Sequence, residues 1–293
     1  MNNLNITICG LSKNCFDSLK HNLESIIEIK KNYLNLNLNL IIVDSDSNDG
    51  SKKYLNNTQK KYDFIKIYHE DNLESLLPTR IHRIAYCRNL ALNYAKIISK
   101  EEFIYVPMDL DIKQFKLTKP DKFLKIISKF CQNKSFDGQF PTSEPYYYDI
   151  FALRAKGWVN INSQLIVNRL KKIFPIGSFI WNYFFLFRYQ WSPLKIKRKN
   201  FIISSAFGGC GMYKINKKNT NLISYDVSKK NSDFVSEHIF FNQQFRNLKI
   251  NHSWKIPAPK EHLSYKALGS KKKVNYIFKT FYSDVKNNII FRK

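Results

Sequence analysis

Short apolar runs alternate with segments of helical periodicity over the first 112 residues, and this alternation constrains the fold more than any other feature of the sequence. Helices are predicted at 16–29 and 84–98, where apolar side chains recur every three or four positions. Strands are predicted at residues 6–9, 38–43, 64–68 and 103–106. Because strands separated by helices pair in parallel through right-handed crossovers, we expect an α/β fold with a Rossmann-like, doubly wound, mostly parallel sheet.

Acidic residues follow two of these predicted strands. Asp44 ends the second apolar run, and Asp109 and Asp111 follow the fourth. Ligands of doubly wound sheets bind beyond the carboxyl ends of the strands, so both acidic turns are expected at the same edge. The sequence therefore predicts a binding site at that edge.

The second half of the chain gives weaker signals. Thr118 is predicted to cap a helix that reaches about Phe130, with Pro120 in its first turn. Further strands are predicted at 138–140, 147–153 and 201–205, the last of them before a Gly208-Gly209-Cys210-Gly211 turn.

Positive charge is concentrated in this second half. The chain has a formal net charge of +25, yet residues 1–149 carry 21 Lys and Arg against 18 Asp and Glu. Residues 150–225 carry thirteen Lys and Arg and no acid. Such a surface attracts nucleic acid, anionic lipid or acidic glycans. No apolar run reaches the roughly 20 residues of a spanning helix, and no signal peptide is evident, so a cytoplasmic protein is expected.

Asp109 and Asp111 are the best local indication of chemistry. In extended backbone, residues two apart share a face about 7 Å apart, and a slight turn brings both carboxylates onto one divalent cation. Hard oxygen ligands favour Mg²⁺ or Mn²⁺, which also bind diphosphate oxygens. An isolated Asp-x-Asp is common in solvated turns, but its position after a buried strand favours a metal site.

Six motifs in order resemble the GT-A glycosyltransferases, the first three being similar to family-2 members and the last three to the fungal capsule α-1,3-mannosyltransferase group. They extend over roughly residues 4–245 and are VDSDSNDGS, RIAYCRNLAL, FIYVPMDLDI, YYYDIFALRAKGW, SSAFGGCGMYKI and VSEHIFFN. The resemblance implies a GT-A fold, a nucleotide diphosphate sugar as donor and a metal-dependent hexosyltransferase activity. It departs from the family-2 pattern at Asp46, where Gly is usual.

The resemblance also implies roles for single residues. Asp44 would contact the base or ribose, shared with or shifted to Asp46, with Leu11 and Ser12 nearby. Arg88 and Asn89 would orient the diphosphate. Asp109 and Asp111 would hold Mn²⁺ or Mg²⁺. Glu237 would act with Asp111 in catalysis, as general base toward the acceptor hydroxyl. Of His238, His252 and His262, the last is favoured as a third metal ligand.

Two aromatic segments are assigned to the acceptor side. Tyr148, Asp149 and Arg154 would border the acceptor pocket, although an aromatic core strand is an equally good interpretation. The run 173–187 is apolar, is flanked by Lys and Arg, and is too short to span a bilayer. It is either an interfacial membrane segment or a buried hairpin of the acceptor lobe.

The sequence thus predicts a donor-binding half at 1–112 and an acceptor-binding half at 113–262. The latter is a basic lobe with an aromatic insertion at about 163–200, and a basic tail follows at 263–293. The expected function is transfer of a sugar from a UDP- or GDP-linked donor to a glycan or lipid-linked acceptor, in synthesis of surface polysaccharide or glycoconjugates. An anionic membrane surface is retained as a partner, with the enzyme peripheral on the inner face. The alternative is a basic nucleic-acid-binding or peripheral membrane-binding protein without catalysis. Nucleic acid is the less expected partner, because it does not explain acids at two strand ends.

Overall fold

The four apolar runs of the first half form a parallel sheet. The computed structural model describes residues 4–198, 201–218, 223–226 and 235–263. Its first elements are β1 (Asn5–Ser12), α1 (Phe16–Asn32), β2 (Asn37–Ser45), α2 (Ser51–Gln59), β3 (Ile65–Glu70), α3 (Leu73–Leu76), α4 (Arg80–Ile98) and β4 (Glu102–Asp109). β1 pairs in parallel with both β2 and β4, and β2 pairs in parallel with β3.

The second half extends this sheet with strands of both directions. Its elements are α5 (Pro120–Gln132), β5 (Gly138–Glu144), β6 (Arg154–Ala155), α6 (Ser163–Ile173), α7 (Pro175–Tyr189), α8 (Pro193–Lys197), β7 (Ile203–Ser205), β8 (Met212–Asn216), α9 (Glu237–Asn242) and β9 (Leu248–Pro257). The strand order is β3-β2-β1-β4-β8-β5-β9-β7-β6. β8 runs antiparallel to both β4 and β5, whereas β5 and β9 are parallel. The predicted α/β fold with a mostly parallel, doubly wound central sheet is confirmed.

Apolar layers cover both faces of the sheet. Alternate residues of a strand point to opposite faces, so Leu40 and Ile42 pack with α1 and α5. Ile41 and Val43 pack on the other face, with α4. This continuous apolar run is what a strand buried on both faces requires.

Two local predictions are wrong. Residues 147–153 form turns and irregular backbone with no strand. Their apolar side chains enter the core, but their backbone N–H groups donate hydrogen bonds to groups outside a strand ladder. The Tyr147 N–H donates to the carbonyl of Trp191, and the Tyr148 N–H donates to the Ser143 hydroxyl. Thr118 does not cap α5; its hydroxyl exchanges hydrogen bonds with the backbone of Lys255, which ties this segment to β9.

The aromatic run at 173–187 is helical. Most of it lies in α7, which packs against α6 as a helical hairpin that is buried on one side, at Ser178 and Phe185. No helix in the described part of the chain is long and apolar enough to cross a bilayer. The basic tail lies outside the described residues beyond Leu263.

Candidate active site

A cleft of about 670 Å³ opens at the carboxyl ends of β1 and β4. The nearly neutral half contributes Leu11, Ser12, Arg88, Asp109 and Asp111 to its wall. Residues of the second half, 113–262, contribute Tyr148, Asp149, Glu237 and His262. The structure therefore brings together nine of the predicted site residues from distant parts of the chain.

Asp109 is the last residue of β4 and lies opposite Leu11 of β1. Its backbone N–H donates to the carbonyl of Gly209 at 2.8 Å, which fixes the end of the strand against the glycine turn. Gly209 has φ +81°, and a Cβ there would lie 2.7 Å from both Ile112 and the Tyr148 hydroxyl. Only glycine allows the turn to approach Asp109 this closely.

Asp111 follows two residues later and is accessible to the cleft. Desolvation and, to a smaller extent, the neighbouring Asp109 carboxylate raise the pKa of its carboxyl to about 6. Two carboxylates that disfavour each other's charge are a good environment for a cation, because a cation offsets both effects.

Arg88 of α4 joins the two acidic sides of the cleft. Its Nη2 donates to Asp109 Oδ1 at 2.6 Å, and its Nε donates to Glu237 Oε1 at 3.1 Å. The side chain is only 3 % exposed. Burial by itself would lower the pKa of Arg88, but the Asp109 and Glu237 carboxylates raise it above its ordinary value. The guanidinium therefore stays charged and neutralises part of the acidic cluster.

One nitrogen of this guanidinium has no partner. Arg88 Nη1 is buried and finds no hydrogen-bond acceptor among the described residues. A buried donor left unpaired costs about 1–3 kcal/mol, which an oxygen of a bound ligand would recover. Arg88 is therefore both an internal ion-pair partner and a candidate ligand contact.

Glu237 lies at the start of α9 and is buried, with Ser236 Oγ 3.4 Å from its Oε2. The adjacent His238 stacks on Phe207 with ring centroids 3.5 Å apart. Burial and the Arg88 charge lower the pKa of His238 well below its ordinary value, so its imidazole is neutral.

Tyr148, Asp149 and His262 form the opposite wall. The rings of Tyr148 and His262 stack with centroids 5.8 Å apart. Asp149 accepts hydrogen bonds from the backbone N–H groups of Gly208 at 2.9 Å and Ala152 at 3.4 Å. Desolvation nevertheless raises the pKa of Asp149 to about 6. This wall combines a flat apolar surface with one carboxylate, the combination that binds a sugar ring and its hydroxyls.

Four predicted site residues do not line the cleft: Asp44, Asp46, Asn89 and Arg154. Asp44 is fully buried and accepts a hydrogen bond from the Ser47 hydroxyl at 2.6 Å. Asp46 has φ +55° and accepts the backbone N–H groups of Asn72 and Glu74, which stabilises the start of α3.

Asn89 and Arg154 are likewise engaged with nearby backbone. The Asn89 side chain donates to the Tyr225 carbonyl at 2.9 Å and accepts the Tyr225 N–H at 2.7 Å. Arg154 Nη1 donates to the carbonyls of Phe151 and Leu153. Burial lowers the pKa of Arg154 to about 10. In this structure these side chains order loops around the cleft, and their donor or acceptor roles stay predictions.

The metal prediction is met only in part by side-chain placement. Asp109, Asp111 and His262 line one cleft, but no group of three or more His, Cys, Asp or Glu side chains is arranged as a metal site within the described ranges. Burial lowers the pKa of His262, which keeps its ring neutral. The role of His262 as a third ligand stays a prediction.

Comparison with known proteins gives structural likeness only. No protein-family model matches the sequence. No curated protein matches it either. The first similar structure is mannosyltransferase PcManGT from Pyrobaculum calidifontis, in complex with GDP-Man and Mn²⁺, at 12 % identity and a TM-score of 0.48. That match covers 94 % of this chain but 61 % of the mannosyltransferase, so this chain spans under two thirds of its length.

Two further similar structures show the same pattern. S. aureus TarS 1–349 matches at 12 % identity and a TM-score of 0.45, covering 97 % of this chain and 66 % of TarS. Mannosyl-3-phosphoglycerate synthase from Rubrobacter xylanophilus matches at 10 % identity and a TM-score of 0.42, covering 99 % and 74 %. At these identities the likeness concerns the fold alone.

The sequence analysis missed two residues, one that lines the cleft and one that supports its wall. Arg80 begins α4, lines the cleft and lowers the pKa of Asp111 by its charge. Gln190 directly follows α7, is fully buried, and supports the cleft wall from behind by donating to the carbonyls of Tyr148 and His262. Arg80 lies before the predicted helix start at 84, so the periodicity gave no signal for it. Gln190 had none, because its role depends on two carbonyls that only the fold brings together.

Proposed function

We propose that this chain is a metal-dependent glycosyltransferase that moves a hexose from a UDP- or GDP-linked donor to a glycan or lipid-linked acceptor, in surface polysaccharide or glycoconjugate synthesis. The observation that carries the proposal is the convergence, in one cleft, of the Asp109–Asp111 pair with Arg88 and Glu237. In this proposal the aspartate pair would hold a cation, Arg88 would supply a fixed positive charge, and Glu237 would be the carboxylate base.

The residues present fit Mn²⁺ or Mg²⁺. Asp109 and Asp111 offer hard oxygen ligands, and their mutual effect on the Asp111 pKa is one that a cation would relieve. Two protein carboxylates are enough, since Mg²⁺ and its relatives commonly keep waters and bind substrate phosphate oxygens. When bound, the ion would stabilise the negative charge that develops on the leaving nucleotide diphosphate.

Donor binding is assigned to the nearly neutral half. Leu11 and Ser12 at the end of β1 would contact the nucleoside, and Arg88 Nη1 would donate to a diphosphate oxygen. Asp44, Asp46 and Asn89 do not line the cleft, so any effect they have on the base, ribose or diphosphate would be exerted through the loops that they order.

The acceptor is assigned to the opposite wall. The stacked Tyr148 and His262 rings would support the sugar, and Asp149 would accept an acceptor hydroxyl, with Arg154 behind it. Glu237 would take the proton of the attacking hydroxyl as the new glycosidic bond forms and the sugar–phosphate bond breaks. Its pairing with Arg88 holds it in position.

Asp149 is the second candidate for the general base. Its pKa of about 6 lies closer to neutral pH than that of an ordinary aspartate, and it lies in the same cleft. A limb near pH 6 in kcat/KM that disappears in Asp149→Asn, with Glu237→Gln retaining activity, would assign the base to Asp149.

Donor binding tests the proposal directly. Thermal-shift screening of UDP- and GDP-sugars with Mn²⁺ should identify a stabilising donor. The shift should be lost in Asp109→Asn and in Asp111→Asn. Asp63 is exposed and does not line the cleft, so Asp63→Asn is a matched control that should retain the shift. An unchanged shift in both cleft variants would remove the metal assignment.

A further inference from the structure

The α6–α7 hairpin exposes an apolar stripe to solvent. Ile173 is 83 % exposed and Phe184 is 61 % exposed, and α7 carries further large apolar side chains on the same side. Positions 176, 180, 184 and 187 are spaced by four, four and three residues, so they lie along one face of the helix. We define this stripe as Ile173, Phe174, Ile176, Ile180, Phe184 and Phe187.

The other side of α7 is packed against the protein. Phe185 is buried, and its ring stacks on Phe151 with centroids 5.8 Å apart. Asn182 and Leu186 line the cleft, and so does Gln164 of α6. A helix that is apolar all round is normally covered on every side, by protein or by lipid. Here one side is covered by protein and reaches the cleft, and the stripe is left exposed.

The segment that carries the stripe bears only positive charge. Residues 150–225 contain no Asp or Glu, and Arg169, Arg188, Lys195 and Lys197 are all exposed near the ends of the hairpin. Lys195 Nζ also lies 3.8 Å from the centroid of the Trp191 ring. Apolar side chains bordered by Lys, Arg and Trp match the interface of an anionic bilayer, where the apolar face enters the headgroup region and the cations contact lipid phosphates.

We propose that the stripe docks this protein on the surface of an anionic bilayer. The hairpin lies in the interface and does not span it. Because α6 and α7 also line the cleft, docking places the acceptor wall beside the membrane. A lipid-linked acceptor would then enter without leaving the bilayer, a consequence that rests on the proposed function.

Vesicle co-sedimentation tests the docking without donor or acceptor. The wild type should bind vesicles of phosphatidylglycerol and phosphatidylcholine, and should bind pure phosphatidylcholine at least tenfold more weakly. Ile176→Ser/Ile180→Ser should weaken binding to the anionic vesicles by roughly tenfold, because two apolar side chains no longer enter the interface. Arg169→Gln/Arg188→Gln should weaken it by a similar factor and reduce its sensitivity to salt.

The matched control is Leu34→Ser/Ile97→Ser, which removes two side chains that are 76 % and 72 % exposed outside the hairpin. This variant should bind as the wild type does. Absence of binding to anionic vesicles, or equal binding by the stripe variant and the wild type, would overturn the proposal. A wild-type dimer in sedimentation velocity that becomes monomeric in Ile176→Ser/Ile180→Ser, with no vesicle binding, would show a self-association surface instead. Donor-induced thermal shifts, measured without vesicles, report separately on the proposed function.

Discussion

The two halves of the molecule neutralise their acidic groups in different ways. In the loops beside β2, Asp46 accepts two backbone N–H groups at the start of α3. Asp44 Oδ2 accepts a hydrogen bond from the nearby Ser47 hydroxyl, while its buried Oδ1 has no hydrogen-bond partner among the described residues. At the cleft, Asp109 and Glu237 come from opposite halves and share the guanidinium of Arg88. Locally satisfied acids order loops, whereas acids satisfied only across the fold remain available to a ligand. Substitutions at the cleft and in the loops test this contrast.

Glu237→Gln should give the largest effect, on activity. Loss of the proposed base should lower kcat by roughly 10²–10⁴-fold, the usual contribution of general-base catalysis. Because the amide is nearly isosteric and can still accept from Arg88 Nε, the donor-induced thermal shift should persist. Steady-state kinetics with saturating donor measures the first quantity. Full activity in the variant would exclude Glu237 as the base.

Arg88→Ala should destabilise the fold strongly. It leaves the buried Glu237 and the partly buried Asp109 without their shared cation, and breaking a buried pair in this way costs about 3–5 kcal/mol. Urea denaturation gives the change in the free energy of unfolding. The control is Lys20→Ala, whose exposed pair with Glu24 is 3.9 Å long and should contribute less than about 0.5 kcal/mol. Equal losses in the two variants would contradict the contrast between cleft and surface.

Asp149 should give a pH-dependent effect on stability. Since its pKa is raised to about 6 from 3.8, the folded state holds the proton more tightly than the unfolded state. The resulting contribution is complete below about pH 4 and is lost as pH rises through about 6. The wild type should therefore lose stability relative to Asp149→Asn over this window, by at most ~3 kcal/mol. Unfolding curves of both proteins at pH 4 and pH 7 measure the difference in their free energies of unfolding. The same difference at both pH values would contradict the prediction.

Asp46→Ala should give the smallest effect, about 1 kcal/mol, because it removes a cap-like acceptor from the start of α3. The melting temperature should fall slightly, and the donor-induced shift should remain. The reverse result, an unchanged melting temperature with no donor shift, would place Asp46 in the donor site and weaken the distinction between the two kinds of acid.

The strands of the first half were predictable because each is a continuous apolar run with its own helical neighbour. The segment 147–153 was mispredicted because its apolar content reflects burial of Tyr147, Ile150 and Leu153, and burial alone does not specify a strand. Motifs pointed to nine residues that line the cleft and to four that do not. The pairing of Arg88 with Glu237 joins positions 149 residues apart. No local pattern encodes such a pair.

The sequence by itself determined the alternation of strands and helices, the acids at the ends of β2 and β4, and the absence of negative charge from 150 to 225. These are properties of spacing and composition, which act locally along the chain. The tertiary structure alone decided which acids face the cleft and which are hydrogen-bonded within neighbouring loops. It also decided that the apolar stripe of α7 points outward. Those outcomes depend on which groups are close in space, because hydrogen bonds and desolvation act over a few ångströms regardless of separation in the chain.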